Sequence, residues 1–153
     1  MLQVDVRAFS AHCEIIDNGR PAGELDLSRW RERATLSTPD GAWVFRRRGM
    51  RRLTAEQPED NPVATATNTL FSGRWNVETP MGTYTLRRRF FRSSLAIERA
   101  GAPVGEVTRR AFSQSSTVDL SDDVPVWLQA FLAWIAMMQR RRDSAAAGAS
   151  AGG

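Results

Sequence analysis

The chain has no lysine, one histidine and one cysteine in 153 residues. Cys13 alone cannot form an intramolecular disulfide or a cysteine-based zinc site, and a single free thiol suits a reducing compartment, so a cytoplasmic protein is expected. His12 has no serine and acid at a recognisable catalytic spacing. On a strand its neighbour Cys13 points to the opposite face, so the two cannot activate one another. A half-buried strand histidine and a buried cysteine are the expected states. The segment Gly19–Leu25, GRPAGEL, reads as a turn, because it lacks the Lys-Ser/Thr of a phosphate loop. Dinucleotide fingerprints and metal-ligand sets are missing as well. No enzymatic activity, metal or cofactor is therefore expected. The opening MLQVDVRAFS has no basic stretch followed by an apolar one, so no secretory leader is expected.

With lysine missing, all 21 basic residues are arginine, as a GC-rich coding bias produces. The 17 acidic residues reduce the net charge to +4, a mild bias toward anionic partners. Aromatic residues are not interleaved with the arginine clusters as base-stacking platforms require, so nucleic acid is not an expected partner.

Long apolar runs are also scarce, and the single one organises the rest. Val124–Met138, VPVWLQAFLAWIAMM, contains one polar side chain, Gln129. Asp122 and Asp123 precede it and Arg140–Arg142 follow it, which complements a helix macrodipole, and Pro125 suits a first turn. Trp127, Phe131, Trp134 and Met138 recur on one side; Val126, Ala130, Ala133 and Met137 make the other side apolar too. A helix with no polar face is buried in protein or in lipid. At ~1.5 Å per residue the run reaches ~22 Å, short of the ~30 Å bilayer core. Length thus favours a buried core helix over a membrane anchor, although the arginine triplet would suit an anchor's cytoplasmic flank. The segment 143–153, DSAAAGASAGG, is low in complexity and expected to be disordered.

The remainder repeats with a period of 41 residues. Pro21, Pro62 and Pro103 mark the register, and GRPAGEL at 19–25 matches GAPVGEV at 101–107. Thr38–Arg51 matches Thr79–Arg92, and Trp30, Phe71 and Phe112 form an aromatic series at the same spacing. Each unit holds about four strand-like pieces. In the first they are Gln3–Phe9, His12–Ile16, Glu24–Trp30 and Ala34–Ser37; in the third, Thr83–Phe90, Ser94–Glu98, Gly105–Phe112 and Ser116–Leu120. The second has a looser middle at 55–61. Asp-Asn-Gly at 17–19 and Pro-Asp-Gly at 39–41 are turn signals. Three four-stranded units are too few for a propeller. A closed barrel of about twelve strands has a lumen too wide for strand side chains to fill, and the apolar helix is the one segment that can fill it. The expected fold is therefore mainly β: one domain over 1–142, a twelve-stranded closed barrel from three four-stranded repeats, enclosing a C-terminal hydrophobic helix.

The stretch Ser94–Met138 resembles the C-terminal half of the LURP-one-related and tubby C-terminal-like superfamily. It has a strand, a glycine turn, a strand ending in basic residues and Phe-Ser, another strand and a hydrophobic helix. The resemblance implies a twelve-stranded barrel around a central helix. For function it implies phosphoinositide binding through basic surface residues or action at membranes, with no site motif to carry onto particular positions.

Two arginine clusters are the candidate site. Arg46, Arg48, Arg51 and Arg52 lie close together, and Arg87, Arg89 and Arg92 repeat most of that pattern. Alternation sends Arg46 and Arg48 one way and Arg47 the other. Guanidinium forks fit phosphates and carboxylates, so the clusters read either as a site for an anionic phospholipid or another anionic ligand, or as a solvated wall paired with Glu and Asp. The corresponding functions are a peripheral binding module at the inner face of a membrane, or a protein-interaction scaffold that binds no small ligand.

Overall fold

The computed structural model describes residues 1–7, 10–59, 61–69, 73–89, 94–110 and 114–152. Expectations that fall on Phe9, Phe71, Phe90, Arg92 and Phe112 lie outside these residues. Twelve antiparallel strands follow one another around a barrel: β1 (Leu2–Val6), β2 (His12–Asp17), β3 (Arg20–Leu27), β4 (Arg33–Thr38), β5 (Gly41–Arg47), β6 (Arg52–Glu56), β7 (Pro62–Asn68), β8 (Trp75–Thr79), β9 (Gly82–Arg88), β10 (Ser94–Arg99), β11 (Ala102–Arg109) and β12 (Ser116–Asp119). Each pairs with its sequence neighbours, and β12 closes on β1 through Leu2↔Val118 and Val4↔Ser116. The helix α1 (Val126–Ala151) comes last.

Period-two alternation sets the inner face. Val4, Ile15, Leu25, Leu36, Phe45, Leu53, Leu86 and Val118 point inward and are fully buried. Their outward neighbours are polar: Glu14 and Glu24 face one another across β2 and β3, and Arg87 and Glu98 pair on β9 and β10. A barrel that spans a membrane has the reverse arrangement.

Leu128–Met138 are all buried inside the strands, which sets aside the membrane-anchor alternative; among the described residues no helix is long and apolar enough to cross a membrane. That run covers ~16 Å at ~1.5 Å per residue. A six-residue strand at ~3.3 Å per residue, tilted ~40°, gives a lumen ~15 Å deep, so the apolar length of the helix matches the barrel. The helix backbone approaches β12 and β1 closely, as its small residues allow, and its aromatic side reaches across to β5. Phe45 lies 5.1 Å from Phe131 and 5.7 Å from Trp134, and Trp43 stacks on Trp127 at 6.0 Å. Gln129 stays inside by donating Nε2–H to the Val124 carbonyl at 2.8 Å, at the start of the helix.

Three details differ from expectation. Pro125 is the N-cap, with ψ 146°, and not part of the first turn. Asp122 accepts a hydrogen bond from Asn18 and so ties the β2–β3 turn to the helix approach. The helix also runs past Arg142 to Ala151, through the segment for which disorder was expected. Alanine is the strongest helix former, and the buried turns supply the nucleus from which the exposed turns extend. Arg140–Arg142 therefore lie mid-helix, where they cannot act on the C-terminal dipole.

The prolines of the 41-residue register share a role. Pro21 pairs with Ile16, Pro62 with Glu56 and Pro103 with Glu98, each just past a register shift between paired strands. In the outer two hairpins a glycine stands two residues after the proline. A Cβ on Gly23 would lie 2.5 Å from the Ser37 carbonyl oxygen, and one on Gly105 only 2.0 Å from that of Asp119, so the bulged strand admits only glycine. Asn18-Gly19 and Ala100-Gly101, all at positive φ, make the two-residue hairpin turns.

Candidate functional site

An up-and-down barrel has two unlike ends. At one, two-residue turns join β2–β3, β4–β5, β8–β9 and β10–β11, a five-residue connection joins β6–β7, and the chain enters the lumen. At the other, longer loops join β1–β2, β3–β4, β5–β6, β7–β8, β9–β10 and β11–β12, and the helix emerges. Every one of those longer loops carries arginine: Arg7, Arg31, Arg51, Arg74, Arg89 and Arg110 in turn. Arg20 and Arg99 are the described arginines at the short-turn end, where Asp17, Asp40, Glu59, Glu78, Asp119 and Asp123 sit. The acidic residues at the loop end, Asp5, Asp26, Glu32 and Asp143, each face an arginine or His12, so the net charge of +4 conceals an excess of positive charge at that end.

The emerging helix is bound to the loop end by a collar of polar contacts. Gln139 accepts a hydrogen bond from Trp75 Nε1 at 2.9 Å. Arg140 donates to Ser116 Oγ at 2.8 Å, and Asp143 pairs with Arg88. Arg142 makes a two-pronged pair with Glu32 at 2.7 and 2.8 Å and also reaches the Met50 carbonyl. That hydrogen-bonded guanidinium, with the charges of Arg47 and Arg141 adding to it, holds the Glu32 carboxyl below its ordinary range despite burial. Arg140 is the most desolvated of these cations; burial, with Arg109 nearby, pushes its pKa down to about 10.

The predicted arginines divide. Arg46 and Arg48 both project outward from the β5 side and converge on Glu56, which is 2% exposed: Arg48 Nη2 lies 2.6 Å and Arg46 Nε 2.9 Å from its oxygens, and Thr54 donates to it at 2.8 Å. Burial pushes the Glu56 carboxyl up, but the hydrogen bonds from Arg48 and Thr54 and the charges of Arg46 and Arg48 outweigh it and leave the pKa lowered. Arg87 faces Glu98 at 4.0 Å and Arg89 faces Glu106 at 3.5 Å. Those four belong to a paired outer wall. β5 and β9 lie four strands apart, so the two clusters do not merge on the wall; they share only the same end. Arg51 and Arg52 stand at the loop end, exposed and without an ion pair among the described residues. Arg47 turns the other way from Arg46 and Arg48, toward Glu32 at 3.9 Å.

The β3–β4 loop departs from the strand pattern of the sequence. Glu24–Trp30 reads as a strand, yet β3 stops at Leu27, because Ser28 closes a turn: its N–H donates to the Arg33 carbonyl and its Oγ accepts from the Arg31 N–H. Trp30 is left 93% exposed between Arg29 and Arg31, and Met50, in the adjacent β5–β6 loop, is 89% exposed. Ser28 ahead of a tryptophan bracketed by arginines was the available signal.

The remaining reactive groups are occupied. His12 Nδ1 lies 2.7 Å from Asp26, a hydrogen bond that raises its pKa, with Glu24 at 3.8 Å from Nε2. Cys13 faces the lumen, where burial pushes its thiol up to about 11. Among the described residues, no group of three or more His, Cys, Asp or Glu is placed to hold a metal ion. Comparison with protein-family models, curated proteins and solved structures finds no match to this chain.

Proposed function

We propose that the protein is a non-catalytic module that docks its arginine-rich end on an anionic surface, with anionic phospholipid as the ligand and the inner face of a membrane as the place of action. The observation that carries this reading is the distribution of charge: arginine in every loop at the end where the helix emerges, and an excess of acidic residues at the far end. Guanidinium groups bind phosphate oxygens in forked pairs. The resemblance of Ser94–Met138 to the LURP-one-related and tubby C-terminal-like superfamily supports the same reading, and we propose membership of it; a barrel wrapped around its C-terminal helix is the architecture that resemblance implies.

The test is co-sedimentation with phosphatidylglycerol-containing vesicles. Binding is expected at low salt, absent on phosphatidylcholine alone, and weakened as salt rises. At ~1 kcal/mol per basic residue near an anionic surface, Arg51→Glu with Arg52→Glu lowers partitioning about thirtyfold or more, while Arg20→Glu at the opposite end has little effect. Failure of the wild type to bind at low salt overturns the proposal and leaves the protein-interaction scaffold as the standing reading.

A further inference from the structure

From the two exposed side chains at the loop end we infer a mode of docking that rests on the proposed function: Trp30 and Met50 are a pair of tips that insert into the interfacial layer of an anionic bilayer while the surrounding arginines hold the headgroups.

A single exposed apolar side chain needs no explanation, but these two share one place and one restraint. Their loops are neighbours, since β4 and β5 pair through Arg33↔Arg46. The Arg47 N–H donates to the Glu32 carbonyl at 3.0 Å and so joins the base of one loop to the other. Arg142, on the emerging helix, ties both again through the Glu32 carboxylate and the Met50 carbonyl. Within each loop the backbone is closed, by Ser28 N–H to the Arg33 carbonyl and by Arg48 N–H to the Arg52 carbonyl. Neither side chain can sink into the barrel, whose lumen is already filled by the helix. The tips are therefore held out, and no apolar surface among the described residues receives them.

The chemistry of their surroundings identifies the occupant. Arg29 and Arg31 flank Trp30 in sequence, and Arg51 and Arg52 come directly after Met50. Tryptophan concentrates at the headgroup level of membranes, where its ring is half apolar and its N–H meets polar groups. Methionine is flexible enough to settle among acyl chains. Arginine at the same level binds lipid phosphates and is attracted by the negative surface potential. A soluble anion would use the arginines and leave both tips in water, whereas a bilayer satisfies both kinds of side chain at once.

The other tryptophans make the test direct. Trp43, Trp75 and Trp134 are buried and Trp127 packs against the core, so a change in emission on binding reports Trp30. The full chain is titrated with vesicles of phosphatidylcholine and phosphatidylglycerol, with and without acyl-chain bromination. The expected result is a blue shift with quenching by the brominated lipid. The signal is lost in Trp30→Ala, and affinity falls at least tenfold in Trp30→Ala/Met50→Ala, whose thermal melt matches the wild type because both side chains are exposed. If the wild type binds in a salt-dependent way but the bromolipid does not quench it and the double variant binds equally well, docking is electrostatic alone and insertion is refuted while the proposed function stands. If no vesicle binds at low salt, both fail. Concentration-dependent self-association that the double variant abolishes would assign the tips to a second copy of the chain and overturn the inference.

Discussion

Replacing Trp134 separates a barrel that needs its helix from one that merely contains it. The ring is fully buried, 5.7 Å from Phe45 and 6.1 Å from Phe131, and its Nε1–H has no hydrogen-bond partner among the described residues. An aspartate there would lie among aromatic and aliphatic side chains. The nearest arginine along the helix, Arg140, is six residues and ~9 Å further on. Losing the ring costs about 3–5 kcal/mol. Burying an uncompensated carboxylate, or protonating it to avoid that, costs several more. The sum meets the ~5–15 kcal/mol that holds a domain together. Trp134→Asp should therefore show no cooperative urea transition by far-ultraviolet circular dichroism. Trp134→Phe, which keeps a ring and removes the unpaired N–H, should lose only about 1–2 kcal/mol. The slope of the transition distinguishes the ways of being wrong, because it scales with the surface exposed on unfolding. A cooperative Trp134→Asp protein with the wild-type slope would mean that residue 134 is not inside. One with a reduced slope would mean that the barrel stands with its helix expelled. Either result refutes the claim that strands and helix are stable only together.

Gly105→Ala should lower the urea midpoint more than Gly23→Ala, since the new methyl meets a neighbouring carbonyl oxygen at 2.0 Å in the first and 2.5 Å in the second, with overpacking costs of about 1–3 kcal/mol; equal midpoints would contradict the bulge geometry. Glu32 and Glu56 both have lowered pKa values, so their ion pairs contribute fully above the ordinary value of 4.5 and are lost as pH falls through the depressed folded values; denaturation against pH should show that decline, and Glu56→Gln should flatten part of it. For His12 the sign is opposite: its raised pKa gives a contribution complete below 6.5 and lost as pH rises through the folded value, and Asp26→Asn should bring the ring titration seen by NMR back down. Arg51→Gln combined with Glu78→Gln leaves net charge unchanged but should weaken vesicle binding about as much as Arg51→Gln alone.

Much of the fold is legible because its two halves constrain each other. Alternating strands such as Ala34–Ser37 and Ser94–Glu98 require something apolar to face, and Val124–Met138 has no polar side to present to water. The turn residues at Asn18-Gly19 and Pro39-Asp40 set the strand boundaries around them. Errors arise where a segment carries two messages. Residues 143–151 are compositionally simple and also alanine-rich, and attachment to a buried helix settles the outcome toward helix. Trp30 has strand propensity and strand spacing, but a serine hydroxyl two residues earlier turns the chain before it. The site was half legible for a related reason. Density of arginine marks β5 and β9, yet whether a guanidinium is committed depends on what the adjacent strand presents. Glu56, inside a segment that reads as a loose middle, becomes a buried carboxylate that engages Arg46 and Arg48. Arg51 and Arg52 escape because they stand at the β5–β6 turn, beyond the Arg47↔Leu53 pair, where no described carboxylate is within ion-pair distance.

That same hairpin geometry explains why a modest net charge can still orient the molecule. In an antiparallel meander every second connection emerges at the same end, so a preference for arginine at alternate strand junctions accumulates there, whatever the composition of the chain as a whole. The acidic turns accumulate ~15 Å away across the lumen, by the strand length and tilt that set its depth. At physiological salt the screening length is ~8 Å, so acids at the far end scarcely diminish the potential that a surface meets at the near one. The quantity that governs docking is then the local charge of one rim and not the sum over the chain. The apolar plug is what maintains that rim: Arg140, Arg141 and Arg142 reach it only because eleven buried residues, Leu128–Met138, carry the helix through the lumen and out among the loops.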